Sequence, residues 1–150
     1  LADKGEVFTD NRDTNILNSI DVSKLIQIDF KSISGGNSLD ELVEKIQQSD
    51  ADIFPVLDEK NKLLGLILLD EIRPIVFSQF KVKYTSTNEV MQPPKEIIFY
   101  DETLETIMEK FDASECKVLP VLKNGIFLGF MYKQLILEKY RHRLKSMIIE

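Results

Sequence analysis

The stretch from Ser38 to Ile72, SLDELVEKIQQSDADIFPVLDEKNKLLGLILLDEI, recurs as Thr103 to Ile136, TLETIMEKFDASECKVLPVLKNGIFLGFMYKQLI. With one single-residue gap in the turn, ten positions are identical, where the breadth of amino-acid usage gives about two by chance. They include Leu39/Leu104, Glu44/Glu109, Lys45/Lys110, the triplets Pro55-Val56-Leu57 and Pro120-Val121-Leu122, and the pairs Leu64-Gly65 and Leu128-Gly129. A tandem duplication offset by about 65 residues holds both halves of the 150-residue chain to one local structure. A unit of about 60 residues buries too little surface to be comfortably stable alone, so the two copies most simply pack against one another through their sheets.

Each copy spells the same elements. Leu39, Leu42, Val43 and Ile46 fall at i, i+3, i+4, i+7, and Leu104, Ile107, Met108 and Phe111 repeat that spacing, one apolar stripe on each of two helices. Ser38 with Glu41 predicts a capping box at the first helix start, and Thr103 or Asp101 can cap the second. The five-residue apolar runs Ile53 to Leu57 and Val118 to Leu122 are too short for helices and read as buried strands. A polar turn follows each, with Asn124-Gly125 supporting a tight hairpin in the second copy. Returning strands run from Leu63 to Leu68 and from Ile126 to Met131, and closing helices begin near Asp70 and Lys133. Short strands at Phe30 to Ser34 and Glu96 to Tyr100 precede the two units. The resulting class is α/β (α+β), with strand, helix, strand, strand, helix repeated twice. Between the copies, Ser78 to Pro94 is polar and ends in Pro93-Pro94, and reads as a surface crossing.

Composition removes several functions. The chain carries 19 Lys+Arg against 25 Asp+Glu, a net charge of −6, which disfavours nucleic acid as a partner. One cysteine, Cys116, and one histidine, His142, leave no disulfide framework, no multi-cysteine metal site and no His-based catalytic set. Cys116 aligns with Ala51, a small core position. The neighbouring carboxylates Asp70/Glu71 and Asp101/Glu102 cannot converge on one substrate as a general acid and base do; they read as helix-start residues. Ser34-Gly35-Gly36-Asn37-Ser38 lacks the Gly-Lys-Ser/Thr of a phosphate loop. No nucleophile, base and orienter come together, so the expectation is a protein without catalytic activity. No apolar run approaches the roughly 18 residues of a membrane span.

Phe54-Pro55-Val56 followed by Leu64-Gly65-Leu66-Ile67, and Leu119-Pro120-Val121 followed by Leu128-Gly129-Phe130-Met131, resemble the CBS domain, here as a tandem pair. Val90-Met91-Gln92-Pro93-Pro94 resembles the short lead of such repeats. The resemblance divides the chain into a first repeat over 25–80 and a second over 81–150 that includes the C-terminal helix, with 1–24 as a linker. A narrower set of short matches resembles the cytoplasmic tail of bacterial CLC-type chloride channels and proton-coupled chloride transporters: Lys4 to Thr9, Asp13 to Leu17, Leu25 to Phe30, Asp52 to Val56, Leu68 to Arg73 with Phe77, and Lys139-Tyr140-Arg141. It implies a regulatory fragment that modulates chloride flux, a membrane-embedded transport domain of the same polypeptide as its partner, a homodimer, and a place on the cytoplasmic face of the bacterial inner membrane.

CBS pairs often hold adenine nucleotides. In the binding pattern, the glycine after the hairpin is followed three residues later by Ser or Thr and six residues later by Asp. From Gly65 those positions are Leu68 and Glu71, and from Gly129 they are Tyr132 and Leu135, so both signatures are degraded. A site for ATP, ADP or AMP would therefore lie in the first repeat. There Ser34, Phe54 and Pro55 would line the base or ribose, and Glu71 would accept from the ribose hydroxyls. Affinity is expected to be weak or absent, since a carboxylate in the first turn of a helix is also favoured by the dipole alone. In the terminal helix, Leu137, Tyr140, Leu144 and Met147 form an apolar seam flanked by Lys139, Arg141, Arg143 and Lys145, a candidate interface. His142 lies on the same helix.

Overall fold

The computed structural model describes residues 11–149. The Lys4 to Thr9 match lies outside them. Two three-stranded sheets carry the repeats with the same register. In the first, β1 (Ile33–Ser34) runs parallel to β2 (Ile53–Leu57), which pairs antiparallel with β3 (Leu63–Leu68). In the second, β4 (Ile98–Phe99) is parallel to β5 (Val118–Lys123), whose other neighbour is β6 (Ile126–Tyr132). Ile33 opposes Val56, and 65 residues on Ile98 opposes Val121. Each repeat is thus strand, helix, strand, strand, helix, the mixed α+β architecture expected.

The chain groups into two compact units that interleave in sequence. One comprises 29–94 and 124–127, the other residues up to 28 together with 95–123 and from 128 onward. The core of the first is Ile33, Leu39, Leu42, Phe54, Val56, Ile67, Ile72 and Val82. Leu39 lies just ahead of α2 (Asp40–Gln48), Leu42 is within it, and Ile72 is on α3 (Leu69–Val76). The core of the second contains Leu104, Ile107, Met108 and Phe111, the stripe of α6 (Leu104–Ser114), with Leu119, Val121, Met131 and Ile136. It also takes Leu17, Ile20 and Leu25. Leu17 belongs to α1 (Asn11–Asn18), and Leu25 ends a 3-10 turn capped by Asp21. The described part of 1–24 is therefore core material for the second repeat and not merely a linker.

Two local expectations change and a third is settled. Ser38 does not cap α2: the helix starts at Asp40 without a side-chain cap, the Ser38 hydroxyl donates to Asp40, and Glu41 reaches back to accept the Ser34 N–H at 2.8 Å. The capping box belongs instead to Ser86 and Glu89. For α6, Thr103 is the cap, accepting from Thr106 N–H at 3.2 Å. The strands β1 and β4 are two residues each, shorter than the runs Phe30 to Ser34 and Glu96 to Tyr100, and side chains satisfy backbone groups along this edge. Glu102 accepts the Phe99 N–H, and Lys110 donates to the Ile97 carbonyl.

The link 78–94 is no bare crossing either. It folds into α4 (Gln79–Tyr84) and α5 (Thr87–Val90), and Val82 enters the first core. Thr87 is fully buried. Its hydroxyl accepts from Gly36 N–H at 3.0 Å and donates to the Ser34 carbonyl at 3.3 Å, so one side chain ties the link to the loop after β1. Thr87→Val keeps the shape and strands both backbone groups, which is expected to lower stability by about 2 kcal/mol. A shift of the urea midpoint at constant slope would register it; an unchanged midpoint would mean the two groups find other partners.

The glycines after the hairpins have a common reason. Gln27 and Phe130 exchange backbone hydrogen bonds at 2.7 and 3.0 Å, and Gln92 and Leu66 do so at 2.8 Å each. Each chain segment leading into one repeat thus lies along the last strand of the other repeat, at Gly129 and at Gly65. A Cβ on Gly129 would stand 2.3 Å from the Gln27 carbonyl oxygen; on Gly65 it would meet the Met91 side chain at 3.0 Å and the Gln92 carbonyl oxygen at 3.1 Å. This exchange of lead segments is why the compact units interleave. At the second hairpin tip, Asn124 and Gly125 both take positive φ, 51° and 82°, as a tight two-residue turn requires.

Candidate functional site

The residues expected to hold a nucleotide in the first repeat fall at two places. Ser34 opposes Leu57 at one end of β2, whereas Leu68, which leads into α3 and Glu71, opposes Ile53 at the other. Four strand steps of about 3.3 Å separate those ends by roughly 13 Å. Ser34 and Glu71 therefore lie toward opposite ends of β2. Between them, Phe54 is fully buried and points into the core with Val56, and Pro55 is buried on the alternate face.

At the Glu71 end, α3 starts without a side-chain cap, and Leu69 N–H donates to the Asp52 carbonyl at 2.9 Å. Asp70 and Glu71 occupy its first turn, where carboxylates complement the helix dipole. Asp70 pairs with Arg73 at 2.9 Å on the surface, and Glu71 accepts a hydrogen bond from the Gln92 side-chain amide. Gln92 was not among the candidate residues. The visible signal was its place in Val90-Met91-Gln92-Pro93-Pro94, but only the pairing of that segment with Leu66 brings its amide to Glu71. An exposed carboxylate at a helix start, already holding an amide donor, is what a ligand's hydroxyls or N–H groups would compete for.

The corresponding place in the second repeat carries different chemistry. Lys133, the counterpart of Leu69, opens α7 (Lys133–Ile149), and Leu135 stands where Glu71 does, half-buried. The Lys133 amine meets Asp112 at 3.2 Å, with side chains 16% and 5% exposed. In the first repeat these positions are Leu69 and Gln47, so this buried pair is specific to the second. A groove of about 710 Å³ runs here between the end of α6 and the start of α7, lined by Asp112, Cys116, Lys117, Lys133 and Gln134 among others. Cys116 is half-buried and packs against the core.

A second groove, of about 670 Å³, lies at the Ser34 end of the first repeat. Ser34, Gly35, Asn37, Asp58, Lys60 and Lys62 contribute to it; Phe54, Pro55 and Glu71 line neither groove. Asp58 organises the turn below it. Its carboxylate accepts the N–H groups of Lys62 and Lys60 at 2.9 and 2.8 Å, and the bond from Lys62 above all holds its carboxyl below the ordinary carboxylate range.

Of the candidate interface, Leu137 and Tyr140 pack against the second core, Leu144 is half-buried, and Met147 is exposed. His142 is exposed on the same helix. Among the described residues no three His, Cys, Asp or Glu side chains gather where a metal ion could be held, and no helix is long and apolar enough to cross a membrane.

Comparison with known proteins follows the same lines. Residues 22–77 match the CBS domain family. No curated protein sequence matches the chain significantly. Among solved structures, CbpB from Streptococcus agalactiae superposes with a TM-score of 0.73 at 20% identity, covering 95% of this chain and 92% of that one. CbpB in complex with c-di-AMP gives 0.74 at 17% identity, covering 91% and 95%. The CBS domain of a bacterial CNNM/CorC family Mg2+ transporter in complex with ATP gives 0.72 at 12% identity, covering 92% and 96%. Protein MJ1004 from Methanocaldococcus jannaschii gives 0.69 at 19% identity; this chain spans 79% of its own length and 58% of that protein. The two βαββα repeats, their shared register and these superpositions establish the fold as that of a tandem pair of CBS domains.

Proposed function

We propose that this chain is a non-catalytic regulatory module that senses an adenine nucleotide and passes the bound state to an attached transporter or enzyme. The observation that carries the reading is the likeness over nearly the whole length to two CBS proteins whose structures hold c-di-AMP and ATP. Within the chain, the Glu71 end of the first repeat supplies the one carboxylate left at the signature positions. Gln92 already occupies it, and Leu68 offers no hydroxyl to a phosphate, so affinity is modest. Titration calorimetry with ATP, ADP, AMP and c-di-AMP tests this. Glu71→Ala should weaken binding about tenfold through loss of a charge-assisted hydrogen bond, and Gln92→Ala should strengthen it by freeing the carboxylate. No heat from any of the four at millimolar concentration would refute the reading.

The narrower resemblance to CLC-type tails names one such parent. In that case a chloride-transporting membrane domain of the same polypeptide is the partner, the assembly is a homodimer, and the module sits on the cytoplasmic face of the membrane. It rests on short sequence matches; the transporter among the structural relatives described above carries Mg2+. A regulatory effect would be a coupling free energy between the nucleotide and transport sites, measurable as a nucleotide-dependent flux in the intact transporter.

A further inference from the structure

The last helix outruns the core it packs on. In α7, Ile136 is buried, and Leu137 and Tyr140 lean on the second core. The same seam continues through Leu144 to Met147, which is 48% exposed, with Ile148 beside it at 63%. On a helical projection Arg141 and Lys145 border this seam on one side, and Lys139 and Arg143 on the other. All four cations are exposed. The segment 139–149 holds four cations and no anion in a chain of net charge −6. Glu138, just before it, accepts a hydrogen bond from Gln134, one turn back along the helix.

We propose that this end of α7 docks the protein on an anionic lipid bilayer, with Met147 and Ile148 entering the headgroup boundary and the four cations meeting lipid phosphates. Three physical points select this occupant. A second copy on the same face would set the four cations against their own copies, with no acid within 139–149 to neutralise them. The apolar part is two exposed side chains, far below the roughly 800 Å² per partner of a stable protein interface. Lys and Arg stems can lie along a bilayer surface while their heads reach phosphate, as in interfacial basic helices. Each cation near an anionic surface contributes about fivefold in binding, fading within a Debye length as salt rises.

The test is sedimentation of the full chain with vesicles of phosphatidylcholine alone and of equal parts phosphatidylcholine and phosphatidylglycerol. Binding to the anionic vesicles only, weakened by added salt, is expected. Arg141→Gln, Arg143→Gln and Lys145→Gln together should reduce it about a hundredfold. Met147→Ser with Ile148→Ser should also reduce it, although the charge is kept. All five side chains are exposed or at the surface, so the core is untouched and unchanged circular dichroism serves as the control. Equal binding to both vesicle types would overturn the proposal, as would full binding by the triple variant. Failure to bind vesicles while retaining an acidic polypeptide or duplex DNA would overturn it in favour of that other anion.

Discussion

Replacing Phe54 by alanine is expected to cost about 4 kcal/mol of stability, the upper part of the range for an aromatic side chain removed from a close-packed core. Phe54 has no exposed surface and packs among Ile33, Leu39, Leu42, Val56, Ile67 and Ile72. A vacancy there touches the sheet and both helices of the first repeat, none of which can collapse into it without disturbing strand register. Phe54→Leu keeps most of the volume and should cost about 1.5 kcal/mol or less. Guanidinium unfolding of both variants gives the comparison directly. Had Phe54 lined a base or ribose, as expected of a site in the first repeat, alanine would be mild for stability and severe for nucleotide affinity. A loss below about 1 kcal/mol would return it to the ligand side.

Gly129→Ala should cost about 3 kcal/mol, and Gly65→Ala about 1 kcal/mol. The two glycines are equivalent in the repeat and sit where equivalent lead segments lie along the last strand. The contacts a methyl group would meet differ. At Gly129 it would collide with the Gln27 carbonyl oxygen at 2.3 Å, a backbone atom that accepts the Phe130 N–H on a residue whose own N–H donates back to the Phe130 carbonyl. At Gly65 the nearest atoms belong to the flexible Met91 side chain at 3.0 Å, and the Gln92 carbonyl oxygen, at 3.1 Å, needs to give only a few tenths of an ångström. Unfolding midpoints for the two variants should therefore separate clearly. Equal losses would show that the Gln27 segment yields as readily as a methionine.

Much of the architecture was legible before any coordinates. The short apolar runs Ile53 to Leu57 and Val118 to Leu122 and the stripes of Leu39-Leu42 and Leu104-Ile107-Met108-Phe111 are local, and duplication doubled the signal at every element. Asn124-Gly125 named its turn because positive φ is a property of those two residue types. The link 78–94 misled because helices of six and four residues leave little periodicity, and Val82 looks isolated in sequence. Ser38 misled because its pattern matches a capping box, while Glu41 gains more from the free N–H of the edge residue Ser34. Counting from Gly65 reaches Glu71, but cannot tell that Ser34, on β1, stands beside the end of β2 that lies away from α3.

By itself, the sequence determined the repeated βαββα unit, its boundaries to within a few residues, and the basic face of the last helix. These follow from short-range patterns, where each residue's environment depends on neighbours three or four positions away. Tertiary structure alone decided that each lead segment lies along the other repeat's last strand, that Gln92 occupies Glu71, and that Asp112 meets Lys133. It also decided that the seam of α7 runs past its own core. Those outcomes join residues about 20 to 100 positions apart, where pairing is chosen by backbone hydrogen bonds and close approach that no local pattern encodes.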